Sequence, residues 1–305
     1  MTASKTLIFF GNERLSSGFS PDGAPTLQAL IDAGYHIAAV VSHYEAANSR
    51  KPRPLEIEAV AQKYNIPLLL PEKPRDIIEQ LQSYNAEASV LVAYGKIIPE
   101  SVINIFPKGI INIHPSLLPH YRGPTPIEQA ILDGAPETGV SLMQLAKGMD
   151  NGPIYAQAKI TLNGDESKQA LTTKLLTLGG ELLIKNLPSI LSGQVLPTPQ
   201  DESKATYAQL FTKAQGNIDW QKPAINIERE IRAYLGWPKS HAQIFGHEVI
   251  ISKAQVASSP IDGALVQLCG QNTYLEIQEL IAPSGRKMDG KNFLQGYKYQ
   301  NNSSK

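Results

Sequence analysis

The chain has 305 residues, a length that favours two domains, each with its own core. Hydrophobic residues make up 42% and charged residues 18%, and 28 basic side chains balance 28 acidic ones, which excludes a disordered chain and gives no sign of a globally basic nucleic-acid binder. The single cysteine, Cys269, excludes an internal disulfide framework and a thiolate zinc site. With only a short apolar run near the start, a cytoplasmic setting is expected.

In chain order, KTLIFFG reads as a buried strand, APTLQALIDAG as a helix stopped by Gly34, and HIAAVVS as a second strand. The alternation continues through PLEIEAVAQKYN (helix), IPLLLP (strand), PRDIIEQLQSYN (helix), ASVLVAYG (strand), PESVINIF (helix) and GIINIH (strand). Five short apolar strands joined by amphipathic helices predict a doubly wound, mostly parallel α/β sheet. After the helix TPIEQAILDG, the runs TGVSLMQL and PIYAQAKITL have no helix between them and predict an antiparallel pair at the sheet edge. A long helix is expected over Ser167 to Gly193. The Pro, Gln, Asp, Glu and Ser content beyond it predicts a linker, so the expected domains are 1–192, a linker 193–206, and 207–300. The last part, with the helix AINIEREIRAYL and alternating runs between glycines, predicts a small β-barrel of the OB type.

Asn112 and His114 stand two apart at the end of the fifth strand, so both side chains share one face where ligands of doubly wound sheets bind. An amide can donate to an oxygen gaining charge, and an imidazole can hold or relay a proton near neutral pH. Asp150, in the Gly-flanked LAKGMDNGPIYAQ between the two edge strands, could orient that imidazole. Together the three suit acyl or formyl transfer to an amine. Equally, strand-end Asn and His residues cap loops, and Asp in MDNG is an ordinary turn residue. The other histidines lack ligand spacing, so no metal is expected, and GNERLSSG is neither a dinucleotide fingerprint nor a P-loop.

NIHPSLLPHYRGPTPIEQAILDG followed by TGVSLMQLAKGMDNGPI resembles the signature of the folate-dependent formyltransferases. The C-terminal stretches TYAQLFTKAQGNIDWQKPAINIEREIRAYLGWPKS and LIAPSGRKMDGKNFLQG are similar to the branch of that family acting on methionyl-tRNA, and the likeness covers nearly the whole chain. It implies 10-formyltetrahydrofolate as co-substrate, initiator methionyl-tRNA as partner, a monomer, and Asn112, His114 and Asp150 as catalytic residues. Ser116, Leu117, Leu118 and Pro119 match its folate-contacting segment, and Ala93, Tyr94, Gly95, Lys147 and Gly148 should line the pterin pocket. Arg50, Lys51, Arg53 and Arg122 would meet tRNA, although the loop carrying the first three is shorter than is usual in the family and also reads as a solvated surface. The alternatives are formylation of an amino sugar nucleotide and a non-catalytic folate- or RNA-binding module.

Overall fold

The computed structural model describes residues 5–16, 19, 23–43 and 55–297. The chain divides into two compact units: Met1–Ile127, Pro136–Asn163 and Gln169–Gln209 form one, and Glu128–Ala135, Gly164–Lys168 and Leu210–Lys305 the other.

In the first unit the strands are β1 (Thr6–Gly11), β2 (His36–Val41), β3 (Leu68–Leu69), β4 (Ala88–Val92), β5 (Ile110–His114), β6 (Glu137–Gln144) and β7 (Ile154–Thr161). They form one sheet in the order β3-β2-β1-β4-β5-β6-β7. The pairs from β3 through β5 are parallel, while β5–β6 and β6–β7 are antiparallel, as the two uninterrupted edge runs require. Leu7, Ile8, Phe9 and Phe10 are fully buried, which is why β1 reads as an unbroken apolar run: crossover elements cover both faces of a parallel strand.

The chain leaves β1 toward β2 on one side and returns to β4 on the other, and this reversal opens a crevice beyond the strand ends. Gly11 permits the close approach there, because a Cβ at its φ of +131° would collide with the carbonyl oxygen of Val92. The helices of this part of the chain are α1 (Pro25–Asp32), α2 (Glu56–Lys63), α3 (Ile78–Ser83), α4 (Glu100–Ile103), α5 (Pro126–Asp133) and α6 (Lys168–Ser192). The third expected helix begins as a 3₁₀ turn over Pro74–Ile77, and the fourth is only the four residues of α4. Residues 193–206, expected as a linker, fall within the first unit, where Thr198 and Ile154 exchange backbone hydrogen bonds of 2.8 Å.

In the second unit, α7 (Ala224–Ala233) precedes β8 (Ser240–Ile244), β9 (His247–Ala257), β10 (Val266–Cys269), β11 (Thr273–Ile281) and β12 (Lys287–Asp289), with α8 (Gly290–Tyr297) last. The antiparallel sheet runs β10-β11-β9-β8, with β12 on β11, consistent with the expected small barrel. Ile227 and Ile231 of α7, one turn apart, join Val249, Ile251, Leu275, Ile277 and Phe293 in its core. Phe245 and Gly246, both at positive φ, make the two-residue turn between β8 and β9. Sequence patterning missed β12 and α8 as elements. Three residues are too few to show a period, and two glycines interrupt the helical pattern.

Candidate functional site

A cavity of about 790 Å³ opens beyond the ends of β1, β4 and β5, lined on its sides by residues 93–100 and 145–150. Asn112 and His114 both line it, as their shared strand face requires. Their exposures are only 6% and 5%, so neither is a surface group. Asn112 sits between Leu91 of β4 and Met143 of β6 in the sheet register. Among the described residues nothing hydrogen-bonds its side-chain amide. A buried amide without a protein partner costs stability unless something else takes it up, and here it faces a cavity.

His114 is held from one side. Its Nε2 lies 3.0 Å from the carbonyl oxygen of Tyr121, which can only accept, so Nε2 carries the hydrogen and Nδ1 is left to do work. Nδ1 faces Asp150 Oδ2 at 3.6 Å, a separation that favours an ion pair or one shared water over a direct hydrogen bond. The same Oδ2 accepts the Gly123 N–H at 2.8 Å. Gly123 has φ of +115°, and a Cβ there would meet the Ala208 carbonyl oxygen at 2.6 Å, so only glycine brings that N–H into place.

Asp150 itself sits at φ of +48° in a tight turn. Sequence reading gave no hint of what holds the turn. Gln200 Nε2 donates to the carbonyls of Asp150 and Gly152, each at 2.7 Å. Its Oε1 in turn accepts from Arg122 Nε and Nη2, and the guanidinium also grips Glu202 through both Nη atoms at 2.8 and 2.7 Å. With a weak contact to the Tyr207 hydroxyl, all five Arg122 donors are used, and the side chain is 1% exposed. The hydrogen bond to Glu202 raises the arginine's pKa above its usual value. Every Arg122 donor is thus met within the protein, and none is left over for the phosphate contact expected of it.

The expected pocket residues divide. Ala93, Tyr94, Gly95, Lys147 and Gly148 line the cavity. Ser116, Leu117, Leu118 and Pro119 do not, and their polar groups are bonded within the loop and to β6 and β7. Ser116 Oγ donates to His120 O at 2.6 Å, the Leu118 N–H donates to Ser141 Oγ, and Gln157 Nε2 donates to the Leu118 carbonyl at 2.9 Å. This segment shapes the wall behind the site. Arg50, Lys51 and Arg53 lie outside the described residues.

Two charged groups follow β1. Arg14 lines the cavity and is clamped by Glu56, Nε to Oε2 at 2.8 Å and Nη2 to Oε1 at 2.9 Å. Glu13, fully buried, accepts the N–H groups of Thr26 and Leu27 at the start of α1, at 2.8 and 2.9 Å. Burial pushes its carboxyl up to about 7 despite these two hydrogen bonds.

A switch-point crevice presenting an amide, an imidazole and a carboxylate suits group transfer to a nucleophile that a substrate supplies. The chain belongs to the formyl transferase family: the family's model matches residues 15–187 and the model of its C-terminal domain matches residues 211–298. A relative in Chloroflexus aurantiacus named methionyl-tRNA formyltransferase is 40% identical over 285 residues, 88% of this chain and 92% of the relative. Another of that name, in Lachnospira eligens, is 36% identical over 311 residues, 95% and 96% of the two chains. In fold, the chain is similar to an N-formyltransferase of Helicobacter canadensis solved with folinic acid and dTDP-3-aminofucose, with a TM-score of 0.67 at 16% identity over 90% of this chain and 98% of that one.

Proposed function

We propose that the chain transfers the formyl group of 10-formyltetrahydrofolate to the α-amino group of methionyl-initiator tRNA. The observation that carries the chemistry is the buried, protein-unpartnered amide of Asn112 beside the His114–Asp150 pair. The amine attacks the formyl carbon, and the carbonyl oxygen becomes an oxyanion that the Asn112 N–H is placed to receive. The ammonium proton leaves through Asp150, directly or by one water. Asp150 passes that proton to His114 Nδ1, and His114, its Nε2–H anchored on Tyr121, delivers it to the departing folate nitrogen as the tetrahedral centre collapses. Atoms balance: one C–N bond forms, one breaks, and one proton moves from the entering amine to the leaving nitrogen.

The walls at Ala93 to Gly95 and Lys147 to Gly148 suit a flat heterocycle read by main-chain groups. Recognition of tRNA falls to Arg50, Lys51 and Arg53 and to the C-terminal domain from residue 207 onward, and the protein works as a cytoplasmic monomer. The test is transfer of radiolabelled formyl from 10-formyltetrahydrofolate to charged initiator tRNA, run beside a thymidine-diphosphate amino sugar. Label on the aminoacyl-tRNA alone is expected, and label on the sugar alone overturns the assignment of substrate.

A further inference from the structure

The segment that follows β1, Asn12 to Leu15, carries neither glycine-rich phosphate motif, and the reaction above gives it no part. The fold nevertheless holds it closely. Glu13 accepts the N–H groups of Thr26 and Leu27, and its own N–H donates to the Val92 carbonyl at 3.3 Å. Arg14 is clamped by Glu56, and the Leu15 N–H donates to the Glu13 carbonyl at 3.1 Å. Asn12 is 3% exposed and lines the main cavity. Its Oδ1 accepts the Arg14 N–H at 3.0 Å. A backbone N–H can only donate, so this bond fixes which end of the amide is oxygen and leaves Nδ2 as the side chain's remaining polar atom. Nδ2 has no partner among the described residues. The turn needs only an acceptor, which Asp, Ser or Thr would supply as well. The donor is surplus to the fold, and it is buried at a cavity wall.

We propose that Asn12 is a specificity-determining residue for the acyl acceptor, its Nδ2 donating to the carbonyl oxygen of the aminoacyl ester, and this rests on the methionyl-tRNA reading above. β4 lies between β1 and β5, so two strand spacings, about 10 Å, separate the backbones that carry Asn12 and Asn112. An oxyanion held by Asn112 therefore leaves Asn12 for another atom of the reactants. The folate ring is assigned to the walls at residues 93–95 and 147–148, which leaves the β1 side to the acceptor. Nδ2 only donates, so its partner is an acceptor oxygen. A phosphate there would call for a cation, and the neighbouring guanidinium of Arg14 is engaged by Glu56. The ester carbonyl fits: it sits on the carbon next to the one bearing the attacking amine. Held there while the amine meets the formyl carbon beside Asn112, the acceptor is fixed at two points, and the rotation that would swing the amine off its line of attack is removed. An amino sugar has no carbonyl at that position, so the same amide separates the two acceptor classes.

The test measures kcat/KM for methionyl-tRNA in Asn12→Ala and Asn12→Asp. Aspartate keeps an oxygen for the Arg14 N–H and replaces the donor by a second acceptor, so the two possible roles predict opposite orders. A donor to the ester predicts wild type above Ala above Asp, with Ala down about tenfold and Asp about thirtyfold, while KM for 10-formyltetrahydrofolate stays within about twofold. A residue that only closes the turn predicts Asp near wild type with Ala below it, and any order in which Asp matches or exceeds Ala overturns the proposal. Binding of two small acceptors locates the oxygen: adenosine carrying methionine as an ester on its 3′-hydroxyl, and the corresponding ether, in which CH2 replaces C=O. The wild type should prefer the ester about tenfold, and Asn12→Ala should bind the two within about twofold of each other. The same preference in both proteins also overturns the assignment. Failure of the wild type to formylate methionyl-tRNA at all is a different result, and it removes the substrate reading itself.

Discussion

The end of β5 and the loop that follows it, residues 115–122, adjoin in sequence and differ in how their polar groups are satisfied. Asn112 presents a buried amide that no described protein group takes up. Arg122, ten residues later and more deeply buried, has every donor occupied. Burial alone does not separate a reacting group from a scaffold group; unmet hydrogen-bonding capacity facing a cavity does. The sharpest break of this contrast is Asn112→Ala. Its kcat should fall on the order of a hundredfold or more, about 3 kcal/mol of lost oxyanion stabilisation, while thermal stability stays within about 1 kcal/mol because no native hydrogen bond is removed. A variant with near-normal turnover removes Asn112 from the mechanism. Asp150→Asn should approach the same loss in single-turnover rate, since the amide cannot take the amine's proton.

Glu13 probes a third condition, a buried carboxyl that is partnered and still strained by burial. Its folded-state pKa of about 7 lies above the ordinary 4.5, so the folded protein holds that proton more tightly than the unfolded chain. The group's stabilising contribution is therefore full below about pH 4.5 and is lost as the pH rises to about 7. The full span corresponds to about 3 kcal/mol as an upper bound. Urea unfolding of Glu13→Gln across this window should show the variant's disadvantage shrinking as pH rises, and a constant difference would mean that Glu13 does not titrate there.

Arg122 gives the opposite pattern to Asn112. Glu202 is solvent-facing and needs no burial when released, so Arg122→Met should lower stability by only about 2 kcal/mol. It also unseats Gln200, which holds the Asp150 turn. Gln200→Leu isolates that effect: kcat should drop about tenfold with little change in KM for either substrate, as expected when a reacting group is misplaced by a fraction of an ångström. Equal changes in kcat and stability for Asn112→Ala and Gln200→Leu would erase the distinction between a reacting group and a positioning one.

These contrasts also mark how far the sequence could be read. The parallel strands were legible because burial on both faces writes an unbroken apolar run, and Asn112 and His114 were legible because period two places them together. Asp150 was a candidate from its Gly-flanked loop between the edge strands, a position that an ordinary turn aspartate fits equally, and the Gln200–Arg122 clamp had no local signal at all. Gln200 sits 50 residues from the turn it holds, in a stretch whose composition reads as linker. Ser116 to Pro119 show the converse: motif resemblance assigned them to the ligand, but their hydrogen bonds are met by Ser141, Gln157 and the loop itself. Composition and period register what a segment buries, whereas a long-range hydrogen bond depends on where two segments end up.

The smallest expected effect concerns the cations before α2. Arg50 and Arg53 lie outside the described residues, so their role rests on sequence and on the size of the anionic partner. A phosphate contact and a solvated charge differ in one measurable respect: each cation that displaces a condensed counterion from a single-stranded acceptor end contributes about 0.7 to the slope of log affinity against log salt. If both arginines contact phosphates, Arg50→Glu with Arg53→Glu should raise KM for tRNA several-fold, flatten the salt slope by about 1.4, and leave kcat at saturating tRNA near wild type. An unchanged slope returns the pair to the solvent and leaves the tRNA contacts to the C-terminal domain. Because the slope counts ions rather than contacts, it separates these outcomes even where the change in KM is small.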